Sequence, residues 1–139
     1  MDDKIAHLGM IQDVITRMAE ESARTKNYCL TMFGILATAS VAAQSEFLVA
    51  LGVIMGLLFW GMDARYLLQE RWYRALFDHA RSQRGAADFN MVPSSELRQQ
   101  HSVAAALFGP SVLAFYGTIT FLLVGLGAVL GDLPAPALP

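Results

Sequence analysis

All ten Lys and Arg residues of this 139-residue chain fall within residues 4–26 and 65–98, and three apolar stretches between and after them carry none. A bilayer gives that segregation its simplest cause, because segments flanking membrane spans on the cytoplasmic side retain Lys and Arg. Both basic stretches then lie on one face, with the short Gln44-Ser45-Glu46 turn and the C-terminal tail on the other.

Composition agrees. Hydrophobic residues make up 55% of the chain, high for a soluble protein of one domain's length. The net charge of −2 matters less than its placement: acids and bases are mixed along both polar stretches, so no uniformly basic face offers itself to nucleic acid. The single cysteine, Cys29, excludes an internal disulfide and a cysteine-type metal cluster. The start, Met-Asp-Asp-Lys-Ile-Ala-His, is acidic and amphipathic rather than basic and then apolar, so no cleaved signal is expected.

From Ile5 to Arg24, apolar residues at Ile5, Leu8, Ile11 or Gln12, Ile15 and Ala19 recur at the helical period. No proline or turn cluster separates this segment from the uncharged run that follows, which predicts one rod of about 40 residues. Residues 1–27 form an amphipathic cytoplasmic helix in this reading, and 28–62 a transmembrane hairpin with spans at 28–43 and 47–62 and Ser45 as the second N-cap. Each span has 16 residues, about 24 Å against a hydrocarbon core of about 30 Å, so Lys26 and Arg65 are expected to snorkel or the bilayer to thin. Residues 63–110 continue as a cytoplasmic helix to Arg84, with a stripe at Leu67, Leu68, Trp72, Ala75, Leu76 and His79, and then as a connector that Gly85 opens and in which Ser94 or Ser95 starts a short helix. His101 to Phe108 is read as an interfacial approach, 111–130 as the third span begun by Pro110, and 131–139 as an external proline-rich tail.

Tyr28, Trp60, Tyr66, Trp72 and Tyr73 gather where the first two rods leave the apolar zone, and an anchoring belt outweighs a ligand cage there. Gly52 with Gly56, Gly127 with Gly131, and more weakly Gly34 with Thr38 are small-xxx-small patterns suited to close helix packing, within one protomer or between protomers. Asp63 stands at the edge of the second span. A hydrated boundary position is the favoured reading over a proton path. Glu70 and Arg74 are spaced for an i,i+4 pair, and with Arg71 they could bridge to Arg17, Glu20 or Arg24 on the first rod. Arg71, Arg74 and Trp72 are also candidates for partner contacts. Tyr116, Thr118 and Thr120 are expected to bond to carbonyls one turn back. The three histidines are scattered, and no phosphate loop, serine elbow or paired buried carboxylates occur, so neither a metal, a cofactor nor catalysis is expected.

At Ile11-Gln-Asp-Val-Ile-Thr-Arg-Met and again from Phe59 through Asp63, Glu70 and Arg71 to Phe77, the chain resembles a family of small uncharacterised bacterial three-span membrane proteins. The resemblance extends over most of the length, including the Asp88-Phe-Asn-Met connector, and implies no particular activity. More loosely, an arm, a hairpin and a second arm bearing Asp63, Glu70, Arg71 and Arg74 are similar to the SLATT group of two-transmembrane proteins. That likeness implies a pore-forming effector. A third span and the lack of a fused sensor set this chain apart.

The expectation is therefore an all-α integral protein of the bacterial inner membrane, N-terminus cytoplasmic and C-terminus periplasmic, in which a transmembrane hairpin extends as an antiparallel cytoplasmic stalk beside a third transmembrane helix. The leading functional expectation is a homo-oligomeric, self-assembling protein, an effector pore among its forms. The alternative is a non-catalytic anchor or accessory subunit whose stalk recruits a cytoplasmic or membrane partner, and a proton-coupled carrier working through Asp63 comes third.

Overall fold

The computed structural model describes residues 2–83 and 88–132. Within them the secondary structure is entirely helical: α1 (Asp2–Ala43), α2 (Glu46–Ser82), α3 (Ser95–Gln99), α4 (Val103–Leu107) and α5 (Pro110–Gly131). Helix α1 runs unbroken for 42 residues, about 63 Å. Asp2 and Asp3 in its first turn complement the positive end of its dipole.

The reversal between α1 and α2 takes two residues. Ser45 N–H donates to the Ser40 carbonyl (3.0 Å) and Gln44 N–H to that of Val41 (3.3 Å), while Gln44 holds a φ of 46°. This is the Schellman arrangement, with glutamine in the left-handed position that glycine usually fills. Ser45 occupies the N-cap position of α2, but its side chain makes no capping bond.

Helices α1 and α2 lie antiparallel along their length. On α1 the inward residues are Ile11, Ile15, Met18, Ser22, Thr25, Cys29, Met32 and Leu36, in alternating steps of four and three. That 3.5-residue period is the seam of a left-handed helix pair. On α2 the matching series runs through Val49, Gly52, Gly56, Phe59 and Asp63. Two expected stripe positions face outward instead: Ile5 is 63% exposed and Ala19 is also exposed, because the seam runs on the other side of Ile15, through Ile11 and Met18. On the charged half of α2 the expected single stripe divides into two faces. Leu76, Tyr73 and Phe77 pack on Ile11 and Ile15, whereas Ala64, Leu68 and Trp72 pack on Ala106 and Leu107 of α4. His79, the last residue of that expected stripe, is exposed.

The chain after α2 folds back over this end. Lys4 Nζ donates to the carbonyls of Arg81 (3.0 Å) and Gln83 (2.6 Å), placing a cation on the negative end of the α2 dipole. Ser94 and Ser102 cap α3 and α4 through their hydroxyls. The approach expected over 101–108 is helical only from Val103 to Leu107. Pro110 opens α5 at its first turn, where its missing N–H costs nothing. The expected stop at Gly85 and the proline-rich tail lie outside the described residues.

Helix α5 returns antiparallel to α2, and glycines set how closely the two approach. A Cβ on Gly52 would sit 3.2 Å from Leu123, one on Gly127 3.2 Å from Val49, and one on Gly131 3.1 Å from Glu46. Both α2 and α5 are long and apolar enough to cross a membrane. Gly34 and Gly56 have no such neighbour. Gly52→Leu should therefore lower the thermal stability of the purified protein by about 1–3 kcal/mol through overpacking. Gly34→Ala should leave it unchanged or raise it by up to about 1 kcal/mol, since only helix propensity changes.

Candidate functional site

One polar cluster is enclosed where α1, α2 and α5 meet. Ser22 and Lys26, one turn apart on α1, both face Asp63 of α2. Ser22 Oγ donates to Asp63 Oδ1 at 2.5 Å, Lys26 Nζ lies 2.6 Å from Oδ2, and Nζ also donates to Ser22 Oγ at 2.9 Å. Asp63 is wholly inaccessible and the Lys26 side chain is 22% exposed. Tyr116 of α5 closes the third side, with its hydroxyl beside the Asp63 carboxylate but not in a normal hydrogen bond. Cys29, one turn beyond Lys26, completes the enclosure and packs in the same core as Tyr116 and Val112.

The surroundings explain why the cluster is dry. The Trp60 ring stacks parallel to that of Tyr116, with centroids 6.2 Å apart, and its indole N–H donates to the Leu107 carbonyl at 2.9 Å. This fastens α2 to α4 beside the cluster. An isolated carboxylate in such a place would cost several kcal/mol. The adjacent ammonium and hydroxyl offset that cost, and removing either partner leaves a bare buried charge.

A serine one turn from a lysine invites comparison with a nucleophile and its base. Here the arrangement is closed. The ammonium is committed to a carboxylate, Ser22 is 4% exposed, and its proton already points at Asp63. The chemistry on offer is electrostatic clamping. Among the described residues no group of three His, Cys, Asp or Glu is placed to hold a metal ion. His7 instead contacts the connector, through Nε2 to the Asn90 carbonyl at 3.2 Å.

Asp63, expected to be hydrated at a span edge, is instead the most enclosed charge in the described structure, because Lys26 and Ser22 reach it from α1. Lys26, expected to snorkel, turns inward for the same reason. Glu70 and Arg74 pair at 2.6 Å. The bridges considered from them to Arg17, Glu20 or Arg24 are absent among the described residues: Arg17 and Glu20 point to solvent and Arg24 pairs with Glu21 at 2.9 Å. Arg71 is half-buried and has no acidic partner among the described residues. Of the aromatic set, Tyr28 is exposed. Trp60 and Tyr73 are packing residues, and Trp72 donates to the Arg98 carbonyl at 3.2 Å beneath the Arg98 guanidinium. Tyr66 is half-buried in a shallow recess with Met62 and Arg65. Thr118 does bond one turn back, to Ala114 at 2.7 Å, but Tyr116 is a core residue facing Asp63. Sequence reasoning missed Ser22, Lys26, Cys29 and Tyr116 as a group. The signal was present: steps of four and three from Ile11 land on Ser22, Thr25 and Cys29.

No family model, curated protein or solved structure matches the chain. The geometry alone has to carry the functional argument.

Replacing Lys26 by Met should destabilise the fold by about 3–5 kcal/mol, as should Asp63→Leu, whereas the double variant Lys26→Met/Asp63→Leu should recover most of the loss. A double-mutant cycle on unfolding midpoints measures this, and additive losses would show that the two charges are independent.

Proposed function

We propose that the chain is a non-catalytic, three-span protein of the bacterial inner membrane that anchors a partner-binding charged stalk. The supporting observation is the division of its surface. Between Tyr28 and Met62 and along α5, large apolar side chains such as Leu30, Ile35, Phe47, Leu58, Phe121 and Val129 are exposed, and the outward hydroxyls of Thr31, Thr38 and Thr118 are bonded within their own helices. Water is a poor solvent for such a coat, and lipid a good one.

The helix register supports three crossings of one slab. Gly131 meets Glu46, Gly127 meets Val49, Leu123 meets Gly52 and Tyr116 stacks on Trp60, so Pro110 stands about level with Tyr66. Helix α5 is 22 residues long, about 33 Å, and matches a hydrocarbon core of roughly 30 Å. The first two spans match it when each extends about one turn past its uncharged run. That turn contains Lys26 on the first span and Asp63 on the second, with the exposed Arg65 at its outer edge. Pairing the two charges inside the bundle lets the hairpin reach full bilayer thickness without local thinning. The N-terminus and residues 63–110 are then cytoplasmic, and the turn at Gln44 and the C-terminal end of α5 periplasmic.

An anchor is favoured over a pore because outward hydroxyls in the spans serve their own helices: Thr31 bonds to Asn27, Thr38 to Gly34 and Thr118 to Ala114. Their donors are spent within the helix and are not turned toward a channel lining. Self-assembly is the second reading, favoured by an open groove along Leu30, Gly34 and Thr38 of α1. Gly34→Leu should then reduce the oligomer to monomer in nanodiscs without unfolding it, as measured by mass photometry.

Topology tests the main proposal. A phosphatase reporter fused after Pro139 should be active and one inserted at residue 88 inactive, with the chain resisting alkaline extraction from membranes. A soluble chain, or both reporters on one side, would refute it.

A further inference from the structure

We infer that the cleft between the charged half of α2 and the α3–α4 segment binds the phosphate group of an anionic phospholipid headgroup. The inference rests on the membrane placement proposed above. The cleft has a volume of about 530 Å³, and Arg71, Arg74, His79, Gln100 and His101 line it together with one acid, Asp78.

Its charges are not equally available. Arg74 is engaged with Glu70 at 2.6 Å, and Asp78 pairs with Arg81 at 3.8 Å on the exposed rim. Arg98, nearby, sits over Trp72 and donates from Nε to the Pro93 carbonyl. Among the described residues Arg71 has neither a carboxylate, as Arg74 has, nor a carbonyl, as Arg98 has, although it is half-buried on the cleft wall. Its Nη2 reaches to 3.5 Å from the position a Cβ would take on Gly109, the N-cap of α5. A planar guanidinium held in a recess without a carboxylate is suited to an oxyanion that it can grip with two parallel N–H donors. Gln100 and His101 opposite it add further N–H groups, and the remainder of the Arg74 guanidinium not bonded to Glu70 adds more.

Depth selects the source of the phosphate. Arg71 is five residues beyond the level at which α5 begins, about 7–8 Å along α2, which is headgroup depth rather than open cytosol. Helix α4, with Val103 and Phe108 exposed, lies along the same level and gives the acyl chains an apolar approach. An anionic diester reaching this recess gives the half-buried Arg71 guanidinium a paired charge.

The experiment uses the full chain in nanodiscs of phosphatidylcholine with or without phosphatidylglycerol, followed by detergent extraction and native mass spectrometry of the lipid that stays bound. Phosphatidylglycerol should be retained and phosphatidylcholine lost. Arg71→Gln should lower retention by roughly tenfold or more, the scale of losing a charge-assisted pair, and His101→Ala/Gln100→Ala should lower it less. Arg17→Gln, an exposed cation away from the cleft, should change nothing. Equal retention in the wild type and in folded Arg71→Gln would overturn the proposal. Binding of inorganic phosphate by calorimetry, abolished by Arg71→Gln while lipid retention is not, would assign the cleft to free phosphate and overturn the lipid source. Failure of the membrane placement reads differently: the wild-type chain would not partition into nanodiscs at all.

Discussion

The pairing of Lys26 with Asp63 is the constraint around which the three long helices are arranged. A buried carboxylate fixes what can stand next to it. It requires a cation, which α1 supplies one turn after Ser22, and an enclosing wall, which α5 supplies through Tyr116 under the plane of Trp60. Paired polar groups of this kind often add little net stability compared with well-packed apolar residues, but they penalise every alternative alignment. Sliding α1 by one turn against α2 would strand both charges. The apolar seam alone, built from small residues such as Gly52, Gly56 and Ser40, would tolerate such a slip far better.

That division of labour explains the uneven character of the packing. At the charged end, branched and aromatic residues interlock: Ile11 and Ile15 against Tyr73, Leu76 and Phe77, with Met91 and Leu97 folded over them. At the apolar end, Gly52, Gly127 and Gly131 set the spacing by leaving room for the side chains of Leu123, Val49 and Glu46 on the facing helix. The polar cluster stands at the junction between these two ways of holding helices together. Burial from water stabilises the first, and shape complementarity stabilises the second.

Much of this architecture was legible in the residues. The two long rods, the reversal at Gln44, the helix begun by Pro110 and the i,i+4 pairing of Glu70 with Arg74 all follow from period, capping and spacing, which are local properties. The polar cluster did not follow, for a physical reason. Ser22 and Asp63 are 41 positions apart, and Tyr116 is further still, so their meeting depends on the register of three helices. The expected stripe through Ile5, Leu8, Ile15 and Ala19 and the observed seam both step by three and four, so spacing alone does not separate them. The seam passes on the other side of Ile15, through Ile11 and Met18, and so reaches Ser22, Thr25 and Cys29. Which side faces inward is decided by the helix packed against it. Aromatic residues misled for a related reason: Trp60 and Tyr73 have the amphipathic character of interface anchors, and it took the positions of α4 and the α1 seam to make them packing residues.

The turn between α1 and α2 spends its backbone donors on α1 itself. Two residues cannot be stretched into a linker, so neither helix of the pair can take up its final position while the other lags behind. On the membrane placement proposed above, that makes the hairpin a single unit of integration, with Lys26 and Asp63 opposite one another as one neutral pair.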